Sequence, residues 1–278
     1  MTPAEHAQLA LLLEVAGTPK PGNVDRDRDF PDLRFEHFLA GAIGSGAGLR
    51  AAEKGTPVGE AFEEAVEGMS QQEGGNTQFG ALLLLIPLVK ADELSPDGVA
   101  EVAEATTVED AEGFYRAFEY VDVAVTDPPE GMDELDVRRG SDAISALREG
   151  DLTLYDVMEL SEDVDGVARE WANGFERTFE ASDRIAELDG GISARAAQVY
   201  LEFLAREPDT FVAKRHGNKV AESVLVRAQE ALQEAREGNP ELVTAFADSL
   251  VEEGINPGTT ADIVAGGLFI ALERGISP

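Results

Sequence analysis

The chain has 278 residues, enough to bury a substantial core, and its 55 acidic and 22 basic side chains leave a formal charge of −33. A surface this acidic repels DNA, RNA and anionic lipid at ordinary ionic strength, so neither nucleic acid nor a membrane is an expected partner. Cysteine is absent, which excludes disulfides, thiolate catalysis and cysteine metal sites.

Only five of the basic residues are Lys and 17 are Arg, while 43% of the chain is hydrophobic. Disorder is the usual competitor of high charge, but so much apolar content in helical periods argues for a folded protein. The expectation is a protein from a halophile, kept soluble at very high salt.

Thr2-Pro3-Ala4-Glu5 is a capping box with Pro at the first helical position, and it predicts a helix to about residue 16. No basic segment precedes it, so no signal peptide is expected. The longest apolar run, 81–89, is too short to span a bilayer, and a cytoplasmic location is expected. A second helix begins near Phe35 and continues through the small-residue stretch 40–48, where close helix contact is allowed. Gly44-x-Gly46 stands at no strand–helix junction, so a dinucleotide fingerprint is rejected.

Further helices are expected at 57–72, 77–90, 96–105, 108–125, 132–148, 155–160 and 163–188, then at 193–206, 209–236, 240–253 and 259–274. Segment 81–89 is apolar on every face, as a central buried helix should be. Pro87 is expected to kink it or end its regular part. Only 121–125 accompanies it as a strand candidate. The fold class is all-α, one domain over 1–278, and a homodimer is left open.

Three Gly-punctuated loops each precede a helical pattern: 18–25, 74–80 and 254–262. Gly and Pro set tight turns, and Asn, Thr and Asp cap the helix that follows. Free N–H groups and partial positive charge make a helix start a ready anion site. Positive side chains gather at Lys214, Arg215, His216 and Lys219 on what reads as one long helix, where 209, 212, 216 and 219 share a face, and phosphate is their natural counter-charge. Asp25, Asp209 and Asp262 supply carboxylates beside the loops, suited to Mg²⁺ arriving with a di- or triphosphate. Neither His6 nor His37 has a second His at ligand spacing, so zinc is not expected. No G-x-S-x-G elbow or Walker loop is present.

Pro19-Lys20-Pro21-Gly22-x-Val24-Asp25, Asn76-Thr77, Asp209-Thr210 with Arg215-x-Gly217, and Asn256-Pro257-Gly258-x-x-Ala261-Asp262 resemble the triphosphoribosyl-dephospho-CoA synthase family. Order and approximate spacing agree over nearly the whole chain. The resemblance implies an all-α fold and a reaction in which ATP loses adenine and its triphosphoribosyl group passes to the ribose 2′-hydroxyl of dephospho-CoA. It implies Asp25, Asp209 and Asp262 as catalytic and Mg²⁺-binding carboxylates. The substrate-binding residues expected with them are Lys20, Asn76, Thr77, Thr210, Arg215, His216, Lys219, Asn256, Thr259 and Thr260.

Two stretches depart from the family pattern. Residues 27–32 replace a Gly-Ala-His-x-Asp-Met-like stretch, and Gln78-Phe79-Gly80 stands where His-Lys-Gly follows the Asn-Thr pair. They keep two other readings open: a nucleotide N-glycosidase or ribosyltransferase with another acceptor, and a non-catalytic nucleotide-binding protein. Asn in place of Asp209 or Asp262 is expected to preserve a helix cap and cost little stability.

The charge makes its own prediction. Screening length falls from roughly 10 Å at 0.1 M salt to about 3 Å at 1 M, so self-repulsion weakens steeply. Helical circular dichroism and melting temperature should rise between 0.1 M and 2 M KCl; a melting temperature that does not move would contradict the salt-adapted reading.

Overall fold

The computed structural model of the chain describes residues 1–128 and 130–278, and among these no β-strand forms; an isolated bridge pairs Asp25 with Arg28. The helices are α1 (Pro3–Ala16), α2 (Phe35–Gly44), α3 (Gly46–Glu53), α4 (Val58–Met69), α5 (Phe79–Lys90), α6 (Pro96–Glu104), α7 (Val108–Ala117) and α8 (Ile144–Gly150). They continue as α9 (Leu154–Glu159), α10 (Gly166–Ala172), α11 (Glu176–Glu187), α12 (Ile192–Leu204), α13 (Thr210–His216), α14 (Asn218–Arg236), α15 (Glu241–Glu252) and α16 (Gly258–Glu273). The capping box of α1 forms as expected, with Thr2 and Glu5 exchanging bonds. The class is all-α.

Three expected helices are each broken in two. The helix from Phe35 divides at Ser45, where Gly44 crosses Gly68 of α4 so closely that a Cβ on either would meet the other's carbonyl oxygen at 2.1 Å. The 163–188 helix divides at 173–175, where Gly174 and Phe175 take φ of 63° and 60°. Phe175 donates its N–H to the Glu170 carbonyl at 2.8 Å and packs beside Trp171. The 209–236 helix divides at Gly217, whose φ of 88° ends α13 and re-aims the chain into α14.

Two other expectations shorten. The helix from 108 stops at Ala117, and 132–148 becomes two short 3₁₀ turns, Asp133–Leu135 and Val137–Ala143, before α8. Residues 122–128 between them are neither helix nor strand.

Two apolar helices, α5 and α16, pack on each other at the centre. Around α16 lie α1, α10, α11, α12 and α13; α5 also meets α1, α3, α4, α6 and α10. Pro87 does not end α5. It lacks the N–H that would bond the Leu83 carbonyl, and the Trp171 indole donates to that carbonyl instead at 3.1 Å. A small apolar cluster of Val15, Val24 and Phe38 fastens the chain between α1 and α2. No helix among the described residues is long and apolar enough to cross a membrane.

Candidate active site

The first and third loops meet. Asn23 donates from Nδ2 to Asn256 Oδ1 at 3.0 Å, and Tyr200 donates from Oη to the Pro21 carbonyl at 2.8 Å. Behind this contact Lys20 is buried, giving Nζ bonds to Glu14 Oε1 at 2.5 Å and to Asn23 Oδ1 at 3.2 Å. Asp25 shapes the loop from within. It accepts from Lys20 N at 3.0 Å, Asp27 N at 2.9 Å and Arg28 Nη1 at 3.2 Å.

Asp209 binds two helix starts together. Its Oδ1 accepts from the N–H groups of Phe211 and Val212 at 2.9 and 3.0 Å, capping α13. Its Oδ2 accepts from N and Oγ1 of Thr260, in the first turn of α16, at 2.8 and 2.7 Å. Next to these partners, Thr210 and Thr259 share a hydroxyl bond of 2.9 Å, and Thr210 also accepts from Gly166 N at the start of α10. The amino-terminal ends of α10, α13 and α16 are therefore locked into one cluster.

The second loop brings α5 to the same place. Asn76, two residues before the N-cap Gln78, accepts from Phe79 N at 3.1 Å. A Cβ on Gly80 would lie 2.1 Å from Asp262 Oδ2, so only glycine lets this carboxylate rest against the α5 backbone. Beside it, Thr77 Oγ1 and both amide atoms of Gln78 are buried without a hydrogen-bond partner, although Gln78 is only 4% exposed. Orphaned polar atoms of this kind call for a ligand or water.

These parts line a pocket of about 480 Å³. Its polar end holds Glu14, Asn23, Asn76, Thr77, Gln78, Asn256, Thr259, Asp262, Asp165 and Lys214; the remainder is largely apolar. Lys214 is the one cation in the lining among the described residues, and it is ion-paired with Asp165, the N-cap of α10. Asp262 has its acidity strongly weakened, first by burial and then by the neighbouring charges of Glu14, Asp209 and Asp165. Burial also raises Glu14, with Lys20 opposing it. Two carboxylates reluctant to ionise thus share one pocket.

The pocket brings together Asn76, Thr77, Asn256, Thr259 and Asp262 from the sequence expectation. Lys20, Asp25, Asp209, Thr210 and Thr260 lie behind it as supports. The three-Asp Mg²⁺ shell is not formed, because every oxygen of Asp25 and Asp209 accepts internal donors. Among the described residues no group of three or more His, Asp or Glu is arranged to hold a metal. Arg215, His216 and Lys219 are exposed and off the pocket, and the break at Gly217 divides the long helix expected to carry them. Arg215 instead packs 5.9 Å from the Phe211 ring.

Glu14 and Asp165 are not among the residues that the sequence singles out, whereas Lys214 belongs to its basic cluster and is the member of that cluster on the pocket lining. Glu14 follows Ala7, Ala10 and Leu11 on the buried face of α1, and an acid at an apolar register position is the signal that could have found it.

Helix starts, one lysine and a part-exposed carboxylate at one end of a largely apolar cavity define a site for a phosphorylated small molecule with an apolar portion. The family model for ATP:dephospho-CoA triphosphoribosyl transferase (CitG) matches residues 1–277, and the chain belongs to this family. It is a transferase that moves a triphosphoribosyl group from ATP to dephospho-CoA. It is similar in fold to the crystal structure of a candidate triphosphoribosyl-dephospho-CoA synthase from Archaeoglobus fulgidus, with a TM-score of 0.69 and 23% identity over 85% of this chain and 99% of that one. No curated protein matches the chain by sequence.

The two aspartates should now separate in stability. Asn at 209 places an amide N–H₂ against the Thr260 donors, leaving buried groups unpaired at a cost of about 1–3 kcal/mol. Asp262 behaves oppositely. Its raised folded pKa means the folded state holds the proton longer, so wild-type stability falls as pH rises from the unfolded value near 3.8 through the folded one. Asp262→Asn removes that loss and should melt no lower than wild type at neutral pH. Thermal melts of both variants between pH 4 and 8 would check this; a destabilised Asp262→Asn with a wild-type-like Asp209→Asn would reverse it.

Proposed function

We propose that ATP binds with its triphosphate against Lys214 and the amino-terminal turns of α16 and α5, and with its ribose beside Asp262. Helix starts favour anionic oxygens. The C1′–N9 bond of ATP breaks, adenine takes the bonding pair and a proton, and C1′ bonds to the 2′-oxygen of dephospho-CoA. Asp262 accepts the proton of that attacking hydroxyl. The charge of Glu14, held by Lys20, stabilises the cationic ribose across the pocket.

The observation carrying this reading is Asp262 itself. It lines the pocket, touches the α5 backbone at Gly80, and has its proton affinity raised by burial and neighbouring acids, which makes its carboxylate a stronger base. Mg²⁺ takes few carboxylates beside phosphate oxygens and waters, and Asp262 is the lining carboxylate that would hold it against the triphosphate. When bound, Mg²⁺ would neutralise the triphosphate. The acidic composition supports work at high salt.

Protein incubated at high KCl with ATP, Mg²⁺ and dephospho-CoA should release adenine, seen by chromatography. Asp262→Asn should cut this by roughly 100-fold, as expected for one electrostatic contact at the reacting centre. Lys214→Gln should mainly raise the ATP concentration needed, and Arg215→Gln should leave the rate alone. Equal adenine release without dephospho-CoA would favour the N-glycosidase reading, and ATP binding without any product would favour a non-catalytic protein. A wild-type rate in folded Asp262→Asn would sink the role assigned to that carboxylate.

A further inference from the structure

The polar end accounts for one triphosphate and one ribose, yet the pocket continues well beyond it. Its floor is aromatic: Phe118 packs against Phe79 and Phe114 with ring centroids 5.0 and 5.2 Å apart. Val125 also lines this part, and the lining reaches the surface at Leu160 and Val164, which are 42% and 47% exposed. Large apolar side chains left open at a pocket mouth mark a surface that a ligand covers.

Two features describe that ligand. Asp127 and Asp136 are both taken by Arg138 and Asp163 lies exposed at the mouth, so the aromatic floor itself presents no free carboxylate to the nitrogen-rich edge of a purine. Alongside runs the irregular stretch 122–128. Among the described residues none of its backbone N–H or C=O groups bonds another backbone group. An apolar track beside unpaired peptide groups is complementary to a chain that alternates methylene, methyl and amide units.

We infer that this track takes the pantetheine arm of dephospho-CoA and that the arm sets acceptor choice. The inference rests on the proposed placement of ATP at the polar end. The arm's gem-dimethyl and methylene groups lie on the aromatic floor and on Val125, its amides pair with the backbone of 122–128, and its thiol end leaves between Leu160 and Val164. Dephospho-CoA is thereby distinguished from 5′-ADP, which carries the same reacting ribose without the arm.

Calorimetry at high KCl tests this without turnover. Wild-type protein should bind dephospho-CoA at least about 10-fold more tightly than 5′-ADP, the scale of a few apolar groups in a pocket. 4′-Phosphopantetheine should displace dephospho-CoA and not ATP. Val125→Ser and Leu160→Ser should shrink the preference toward one with ATP affinity unchanged, while Val226→Ser on distant α14 should keep it. Equal wild-type affinity for dephospho-CoA and 5′-ADP would overturn the inference, as would variants that weaken ATP alone and so make the track an adenine compartment. If a variant fails to fold by circular dichroism, the 4′-phosphopantetheine competition on wild type still decides. Preference for the arm without adenine release would sink the proposed reaction placement alone; adenine release without that preference would sink only this inference.

Discussion

Where α5 crosses α16, the backbone at Gly80 and the carboxylate of Asp262 occupy space that no side chain at position 80 could share. That crossing depends on where α16 starts, and its start is fixed by Asp209, which caps α13 and holds Thr260 at once. The loop after α1 closes the third side through Asn23 and Asn256. Buried polar groups are costly unless satisfied, so a cluster with nearly all its donors matched has one low-energy arrangement. Thr77 and Gln78 are the exceptions, and they stand on the pocket lining.

Charge poses a problem that the structure handles locally. A protein of net −33 must draw in a polyanion with one pocket lysine, itself paired to Asp165. Helix starts supply partial positive charge without adding a side chain. Lys20 stands against Glu14 and offsets its negative charge beside the triphosphate. Burial and neighbouring acids raise the proton affinity of Asp262, and a carboxylate of higher proton affinity is the stronger base.

Much of this is legible in residue order. Caps, Pro at helix starts and apolar periodicity locate most helices, and the Gly-Asn-Thr and Asn-Pro-Gly loops mark the ends that converge. What misleads is local as well. Helical periodicity runs straight through Gly217, so 209, 212, 216 and 219 read as one face of a helix that in fact divides there. Asp209 before Thr-Phe-Val has the look of a metal carboxylate beside a phosphate loop, although a cap is what that position most often is. Other features are long-range and leave no local mark. Nothing near Lys214 says that Asp165 will lie against it, and nothing in α16 alone says that it will cross Gly80 of α5. The segment after Ala117 has a helical pattern, yet it becomes the irregular wall of the apolar track.

The contact between Gly80 and Asp262 is the most direct point of test. Gly80→Ala adds one methyl group at a helical position, a change that by itself favours helix, and it must displace the Asp262 carboxylate. Misplacement of a reacting group by about 1 Å can cost roughly 100-fold. With folding verified by circular dichroism, adenine release by Gly80→Ala should fall by about that factor. A Gly80→Ala protein that turns over at the wild-type rate would contradict the placement of Asp262 at the reacting centre.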